Sequence, residues 1–182
     1  PYISNLSLSL AVTVRDPDRR GNRFARVKVP AILPRFVPLS DGRTYVPLEQ
    51  IVADINLDML GRNWADTIVA IGKEHSDLGA TLERVNAAHP ELRMVAIDDR
   101  WPEERFYFRS DHYNFARKGG PALFFFNGVH EDYHRVTDSP DKINSEKESR
   151  ILKLLYYLGQ EIGNAPQRPQ WDPESRKLIV EE

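Results

Sequence analysis

The run from Pro121 to Phe126, Pro-Ala-Leu-Phe-Phe-Phe, constrains the fold of this chain more than any other feature. A short, continuous apolar run of this kind is typical of a strand buried inside an α/β sheet. The loop that follows, residues 128–141, is crowded with imidazole, carboxylate and phenol groups. In open α/β sheets, ligands bind at the edge where the strands end. The sequence therefore predicts a buried strand that leads directly into a functional site.

Composition limits the class of protein. With 182 residues, 41% of them hydrophobic, the chain is long enough for one domain with a substantial core. The 25 Lys and Arg residues nearly balance the 27 Asp and Glu residues along the chain, so we expect no nucleic-acid binding. Because cysteine is absent, any metal must be held by His, Asp or Glu. No apolar run approaches the roughly 20 residues that span a bilayer, so we expect no membrane span.

The chain divides into three segments by sequence texture. Residues 1–45 combine strand-like alternation with Pro30, Pro34 and Pro38, and form a β-rich segment of unknown role. Residues 46–166 alternate strand and helix patterns, which predicts an α/β domain. Residues 167–182 form a tail; the chain beyond Asn164 is punctuated by proline, and we expect it to dock only loosely. The predicted elements of the central segment are strands at 67–71, 94–97 and 121–126, and helices at 75–89, 111–118 and 145–162.

Asp58 lies near the end of an apolar run that predicts a buried strand. A lone carboxylate in such a place is costly unless it is paired, hydrogen-bonded or bound to a metal. Asp58 is therefore a candidate metal ligand. The alternative is an aspartate that caps the turn after the strand.

Three side chains in the loop after Phe126 are candidates for catalysis. His134 can bind zinc through one ring nitrogen while Asp138 or a neighbouring carboxylate orients the other. The hydroxyl of Tyr133 can donate a hydrogen bond to the oxyanion of a tetrahedral intermediate. Taken singly, each of these residues is better explained as an ordinary member of a surface loop. The cluster of two His, three Asp and one Glu between positions 130 and 141 makes the functional interpretation as good as that alternative.

The segment from His130 to His134 also matches the His-Glu-x-x-His pattern of helix-borne zinc proteases. That chemistry requires both imidazoles on one face of a helix, with Glu131 as the general base. A strand feeds into this segment and turn-forming residues follow it, so we expect the match to be accidental.

Ser110, Asp111 and His112 admit two interpretations. The first is a helix beginning at 111 with Ser110 as its N-cap and a hydrogen-bonded Asp-His pair. The second places these residues beside the functional site as supporting side chains. The residue pattern alone favours the first.

From about Val46 to Ile143 the chain resembles the di-zinc aminopeptidases related to bacterial leucyl aminopeptidases and glutamate carboxypeptidase. The resemblance rests on three motifs in the family's order: Ile-Asn-Leu-Asp-Met-Leu-Gly-Arg at 55–62, Ser-Asp-His-Tyr-Asn-Phe at 110–115, and Gly-Val-His-Glu-Asp-Tyr-His at 128–134. It implies an α/β fold with a mixed, largely parallel sheet flanked by helices. It also implies a hydrolase that removes N-terminal residues from peptides at two zinc ions.

The resemblance assigns roles to individual residues. It implies that Asp58 and His134 are zinc ligands and that Tyr133 stabilises the transition state. The second motif then lies near the site without binding metal. The family's other ligands and its general base come from His-x-Asp and Glu-Glu elements upstream of Asp58. Neither element occurs in residues 1–57, and Glu103-Glu104 comes too late in the chain.

These departures lead to two hypotheses about function. In the first, the chain is the C-terminal portion of a zinc aminopeptidase, inactive alone and completed by its missing N-terminal part or by another chain. In the second, it is a non-catalytic, peptidase-like binding module. The first residue is Pro1, with no Met before it, which suggests a processed, trimmed or excised chain. The resemblance also implies a peptide substrate and an exported, periplasmic or extracellular location.

Overall fold

The computed structural model describes residues 8–13 and 51–181. These residues form five strands, four α-helices and five short 3-10 helices. The strands are β1 (Leu8–Thr13), β2 (Ile51–Asp58), β3 (Thr67–Ile71), β4 (Val95–Ile97) and β5 (Ala122–Phe126). The α-helices are α1 (Leu78–Ala88), α2 (Tyr113–Ala116), α3 (Ser145–Asn164) and α4 (Pro173–Ile179). The 3-10 helices are Lys73–His75, Pro90–Leu92, Pro102–Glu104, Phe106–Phe108 and Pro140–Lys142.

The described strands form one open sheet in the order β1-β2-β5-β3-β4. The pairs β2-β5 and β3-β4 are parallel, whereas β1-β2 and β3-β5 are antiparallel. The predicted α/β fold with a mixed sheet is confirmed. Half of the strand pairings are parallel, because β3 runs against β5 at the centre of the sheet.

Alternation along the central strands divides the core into two apolar layers. Ile55 and Leu57 of β2 pack with Leu123 and Phe125 of β5 on one face, which is covered by α1 and α3. The opposite face of β5 belongs to a second cluster. Its buried members are Val69, Ile71, Tyr107, Ala116, Ala122, Phe124, Phe126 and Ile179. Burial on both faces explains why the sequence of β5 is an uninterrupted apolar run.

Helix α3 matches its predicted start and extends two residues beyond the predicted end. The side chain of Asn144 caps it by accepting a hydrogen bond from the Lys147 backbone N–H at 3.0 Å. Its buried stripe includes Lys147, whose ammonium group donates to the carbonyl of Arg62. The helix thereby fixes the loop that follows β2.

Two local predictions are wrong. The helix expected at 111–118 is the single turn α2, and the Ser110 hydroxyl does not cap it. That hydroxyl accepts a hydrogen bond from Asn56 Nδ2 at 3.1 Å instead. The C-terminal tail is not loosely docked, because the Trp171 indole N–H donates to the Gly119 carbonyl at 2.9 Å and Ile179 is buried.

Candidate functional site

The site predicted around Asp58 lies where β2 ends, next to the end of β5. Strand β2 carries Asp54, Asn56 and Asp58 at alternate positions, so the three side chains point to the same face of the sheet. Asp58 is half-buried, and its Oδ1 has no hydrogen-bond partner. Burial, and then the charge of Asp111, raises the pKa of Asp58 to about 6. This carboxylate is therefore held in an environment that disfavours its charged form.

Residues 110–112 lie beside this polar stripe. Ser110 contacts Asn56 as described, and the charge of Asp111 also acts on Asp54. The ring of His112 is fully buried and stacks on Phe124 with 4.6 Å between ring centroids. Burial lowers the pKa of His112 to about 3, so the imidazole is neutral near pH 7. The fold thus places the motif at residues 110–115 beside the motif at residues 55–62.

Tyr133 and His134 occupy the loop beyond β5. Their rings stack at 3.9 Å, Tyr133 is 37% exposed, and His134 has a left-handed backbone with φ of 58°. The segment 130–134 forms turns and not a helix, which excludes the helix-borne zinc protease.

Ion pairs tether this loop to the segment after β2. Arg62 contacts Asp132 at 2.7 Å and Asp138 at 2.9 Å, and Lys142 contacts Asp132 at 2.6 Å. His130 lies 3.9 Å from the other oxygen of Asp138. Asp138 therefore pairs mainly with Arg62, and the structure records no contact between Asp138 and the predicted ligand His134 in the part it describes.

The residues do not fit a two-zinc centre. Within residues 8–13 and 51–181, no three His, Asp or Glu side chains are grouped so that they can hold a metal ion. Zinc in this type of site needs at least three protein ligands. No step of a reaction can be derived through such a metal here, and the assignment of Asp58 and His134 as ligands stays a prediction.

Asp54 is an unusual residue that the sequence analysis missed. It is fully buried in the middle of β2, and neither carboxylate oxygen has a hydrogen-bond partner. Burial, and then the charge of Asp111, raises its pKa to about 8. The signal in the sequence is an aspartate within the apolar run Ile-Val-Ala-Asp-Ile, four residues before Asp58.

Comparison with known proteins divides the chain into two overlapping parts. Residues 1–62 match the model of the polyphosphate kinase middle domain. A polyphosphate kinase from Aphanizomenon baltica is 51% identical over 71 residues, covering 33% of this chain and 18% of the relative. The polyphosphate kinase of Synechocystis is 55% identical over 64 residues (29% and 9%), and that of Streptomyces coelicolor is 58% identical over 53 residues (29% and 7%). The chain therefore spans less than a fifth of the length of these relatives.

These relatives overturn the predicted activity. The interpretation as a zinc aminopeptidase, a hydrolase acting on peptide N-termini, is wrong, and so is its alternative of a peptidase-like binding module. The curated relatives are named as kinases, which are transferases. The segment 1–45, to which the sequence analysis gave no role, lies wholly within the kinase match.

No solved structure matches the chain. Over residues 8–13 and 51–181, no helix combines the length and apolarity needed to cross a bilayer.

The second family match covers the part of the chain that carries the described site. Residues 38–159, about two thirds of the sequence, match the model of peptidase family M28. They include four of the five described strands and the motifs around Asp58, His112 and His134. By this match the chain belongs to peptidase family M28.

Proposed function

We propose that this chain contributes to polyphosphate kinase activity through its first 62 residues. The observation that carries the proposal is the 51–58% identity between about a third of this chain and three proteins named polyphosphate kinase. Identity at this level over more than 50 residues reflects common descent and not a shared local pattern. Residues 1–62 match the middle-domain model of that kinase.

The charge of the segment supports this proposal. Residues 15–43 contain eight Arg and Lys residues but only three Asp residues, although the whole chain has a net charge of -2. A locally basic segment attracts anions and raises their local concentration. Condensed phosphate is such an anion, so the segment matches the ligand that the relatives' name implies.

The chain is proposed as one part of a kinase rather than as a whole one. It covers at most 18% of the first relatives, so most of their sequence has no counterpart here. The M28-related part then serves as the folded body to which the kinase segment is joined. Its kinship with the di-zinc aminopeptidases is a proposal about descent and carries no peptidase activity.

A complementation experiment tests the function. The Synechocystis kinase is prepared without the segment that corresponds to residues 1–62, and transfer of labelled phosphate from ATP into polyphosphate is measured with and without this chain. The kinase's own segment, added as a separate polypeptide, is the positive control. We expect this chain to restore synthesis to the shortened kinase and to be inactive alone.

Charge variants make this test specific. Replacing Arg19, Arg20 and Arg23 with alanine should abolish the restoration. Replacing Arg84, Arg93 and Arg135 removes the same charge outside the kinase segment and should leave it intact. If the positive control restores synthesis and this chain does not, the proposed function is wrong.

A further inference from the structure

An aromatic surface covers the edge of the sheet where β2 and β5 end. Trp101 lies against the backbone of Gly128, two residues after β5, so that a side chain at 128 would clash with the indole. Trp64, in the segment after β2, stacks on Trp101 with 6.3 Å between ring centroids and 25° between planes. Phe106 packs edge-on against Trp101 at 5.9 Å. This edge is where α/β sheets bind ligands.

Two guanidinium groups of this surface lie over aromatic rings. Arg100 is 5.1 Å from the centre of the Trp64 ring, and Arg105 is 4.9 Å from the centre of the Phe108 ring. Stacking of this kind holds a guanidinium group in place while its N–H edge stays available for an anion. Both arginines are exposed, so that edge is accessible to solvent.

Within the described part of the chain, neither of these two arginines is in an ion pair. A third arginine of the surface, Arg109, differs from them in this respect. Arg109 lies over Phe106 at 5.1 Å and also pairs with Glu104 at 3.3 Å. Arg100 and Arg105 have the ring contacts but no carboxylate within ion-pair distance among residues 8–13 and 51–181. Neither guanidinium group is therefore held in an ion pair with a described residue. Of the carboxylates in the same segment, Asp98 pairs with Lys73 and Glu104 pairs with Arg109.

The backbone supports a specific placement of Arg105. This residue has a φ of 52°, in the left-handed region that non-glycine residues seldom occupy. A conformation of this kind costs free energy and persists only when its surroundings enforce it. The turn between the 3-10 helices Pro102–Glu104 and Phe106–Phe108 therefore orients Arg105 outward over Phe108.

We propose that Arg100 and Arg105 bind a condensed phosphate chain at this surface. Guanidinium groups bind phosphate oxygens through paired, charge-assisted hydrogen bonds, and a chain of linked phosphates can contact two of them at once. The surface lies between residues 64 and 109, outside the kinase-matched segment. The choice of phosphate over other anions rests on the proposed function, whereas the existence of an anion site does not.

Calorimetric titration of the full chain with sodium tripolyphosphate at low ionic strength tests the site. We expect the double variant Arg100→Ala, Arg105→Ala to bind at least about tenfold more weakly than the parent, because each charge-assisted contact contributes about one such factor. The matched control is Arg84→Ala, Arg135→Ala, which removes two exposed charges that lie over no ring. That control should stay within about twofold of the parent.

A third variant tests the aromatic support. Trp64→Phe keeps both charges but replaces the better cation–π partner of Arg100, so binding should weaken about threefold. Thermal unfolding of each variant checks that the fold is retained. Equal affinity of the parent and of the Arg100→Ala, Arg105→Ala variant, or no binding by the parent, overturns the site.

Further ligands identify what is recognised. ATP and tripolyphosphate share a triphosphate, so stronger binding of ATP would assign the site to a nucleotide, whereas equal or weaker binding of ATP supports a free phosphate chain. Tricarballylate carries three carboxylates, and equal binding of that anion would overturn the preference for phosphate. The Arg100→Ala, Arg105→Ala variant is also used in the complementation experiment. Restored synthesis with lost binding rejects this site's role in the kinase but leaves the proposed function standing, and failure by the parent chain rejects only the function.

Discussion

Gly128 is the residue at which the backbone and the aromatic surface fit most tightly. Its φ is 81°, and a Cβ atom placed on it would lie 2.6 Å from the Trp101 ring. Gly128→Ala therefore has two costs. Alanine must adopt the left-handed conformation, which costs about 1–2 kcal/mol, and its Cβ overpacks the contact with Trp101, which costs about 1–3 kcal/mol. We expect a loss of about 2–5 kcal/mol in the free energy of unfolding, measured by urea denaturation.

Two other glycines separate these contributions. Gly119 has a φ of 93°, but its nearest neighbours would be 3.9 Å from an added Cβ. Gly119→Ala should thus show the backbone cost alone. Gly120 has neither a positive φ nor a contact shorter than 3.4 Å, and Gly120→Ala should change stability least. A loss at Gly128 no larger than that at Gly119 would mean that Trp101 does not rest on this backbone.

At single residues, sequence reasoning succeeded where the local pattern was sufficient. The end of a buried strand at Asp58 follows from the apolar run before it, and the strand ends at that residue. The isolation of Asp54 could not be predicted, because it depends on which side chains of distant segments cover β2. The same is true of Arg100 and Arg105, since their aromatic partners are recognised only once the fold is known.

At the scale of elements, helix α4 shows that the tail is part of the folded body. Ile179 is 2% exposed and belongs to the second core cluster, whereas its neighbour Leu178 is 74% exposed. Ile179→Ala should cost about 2–4 kcal/mol through lost burial and a residual cavity. Leu178→Ala should cost less than about 0.5 kcal/mol. Chemical denaturation of both variants measures the difference, and equal losses would show that α4 is not docked.

The helices divide into those that sequence periodicity can predict and those that it cannot. Helix α3 has a long apolar stripe and was predicted almost to its ends. Helix α4 has seven residues and one buried side chain, too few to establish a period. Its position depends on long-range contacts, such as the hydrogen bond from the Asp172 backbone N–H to the His75 carbonyl at 2.9 Å.

The whole molecule joins two family relationships at one strand. Residues 38–62 belong to both matches, and β2 lies inside this overlap. Strand β1, which lies only in the kinase match, pairs with β2 along the edge of the sheet. The kinase-related and peptidase-related parts therefore share one sheet. A motif search directed at peptidase chemistry could find the second relationship but not the first, because residues 1–45 contain no catalytic pattern.

Two buried groups, Asp54 and Lys147, determine how the free energy of unfolding depends on pH above 6.5. Asp54 has a pKa of about 8 in the folded protein because of burial, against an ordinary value of 3.8. Its contribution is fully present below pH 3.8 and is lost as the pH rises to 8, since the unfolded carboxyl releases its proton first. Lys147 has a pKa lowered by burial from 10.5 to about 8. Burial of the charged Lys147 therefore lowers the free energy of unfolding below pH 8. That loss is recovered as the pH rises from 8 toward 10.5, because the folded protein then holds the lysine uncharged.

We therefore expect a minimum of stability near pH 8. From pH 6.5 to 8 the free energy of unfolding should fall by about 2 kcal/mol, because one proton of difference corresponds to about 1.4 kcal/mol per pH unit. Urea denaturation at half-unit intervals measures the curve. Asp54→Asn should remove the fall below pH 8, Lys147→Met should remove the rise from pH 8 to 10, and the exposed control Asp66→Asn should keep both. A curve that rises steadily from pH 6.5 to 8 in the parent would show that Asp54 ionises normally, and thus that strand β2 is open to water at this residue.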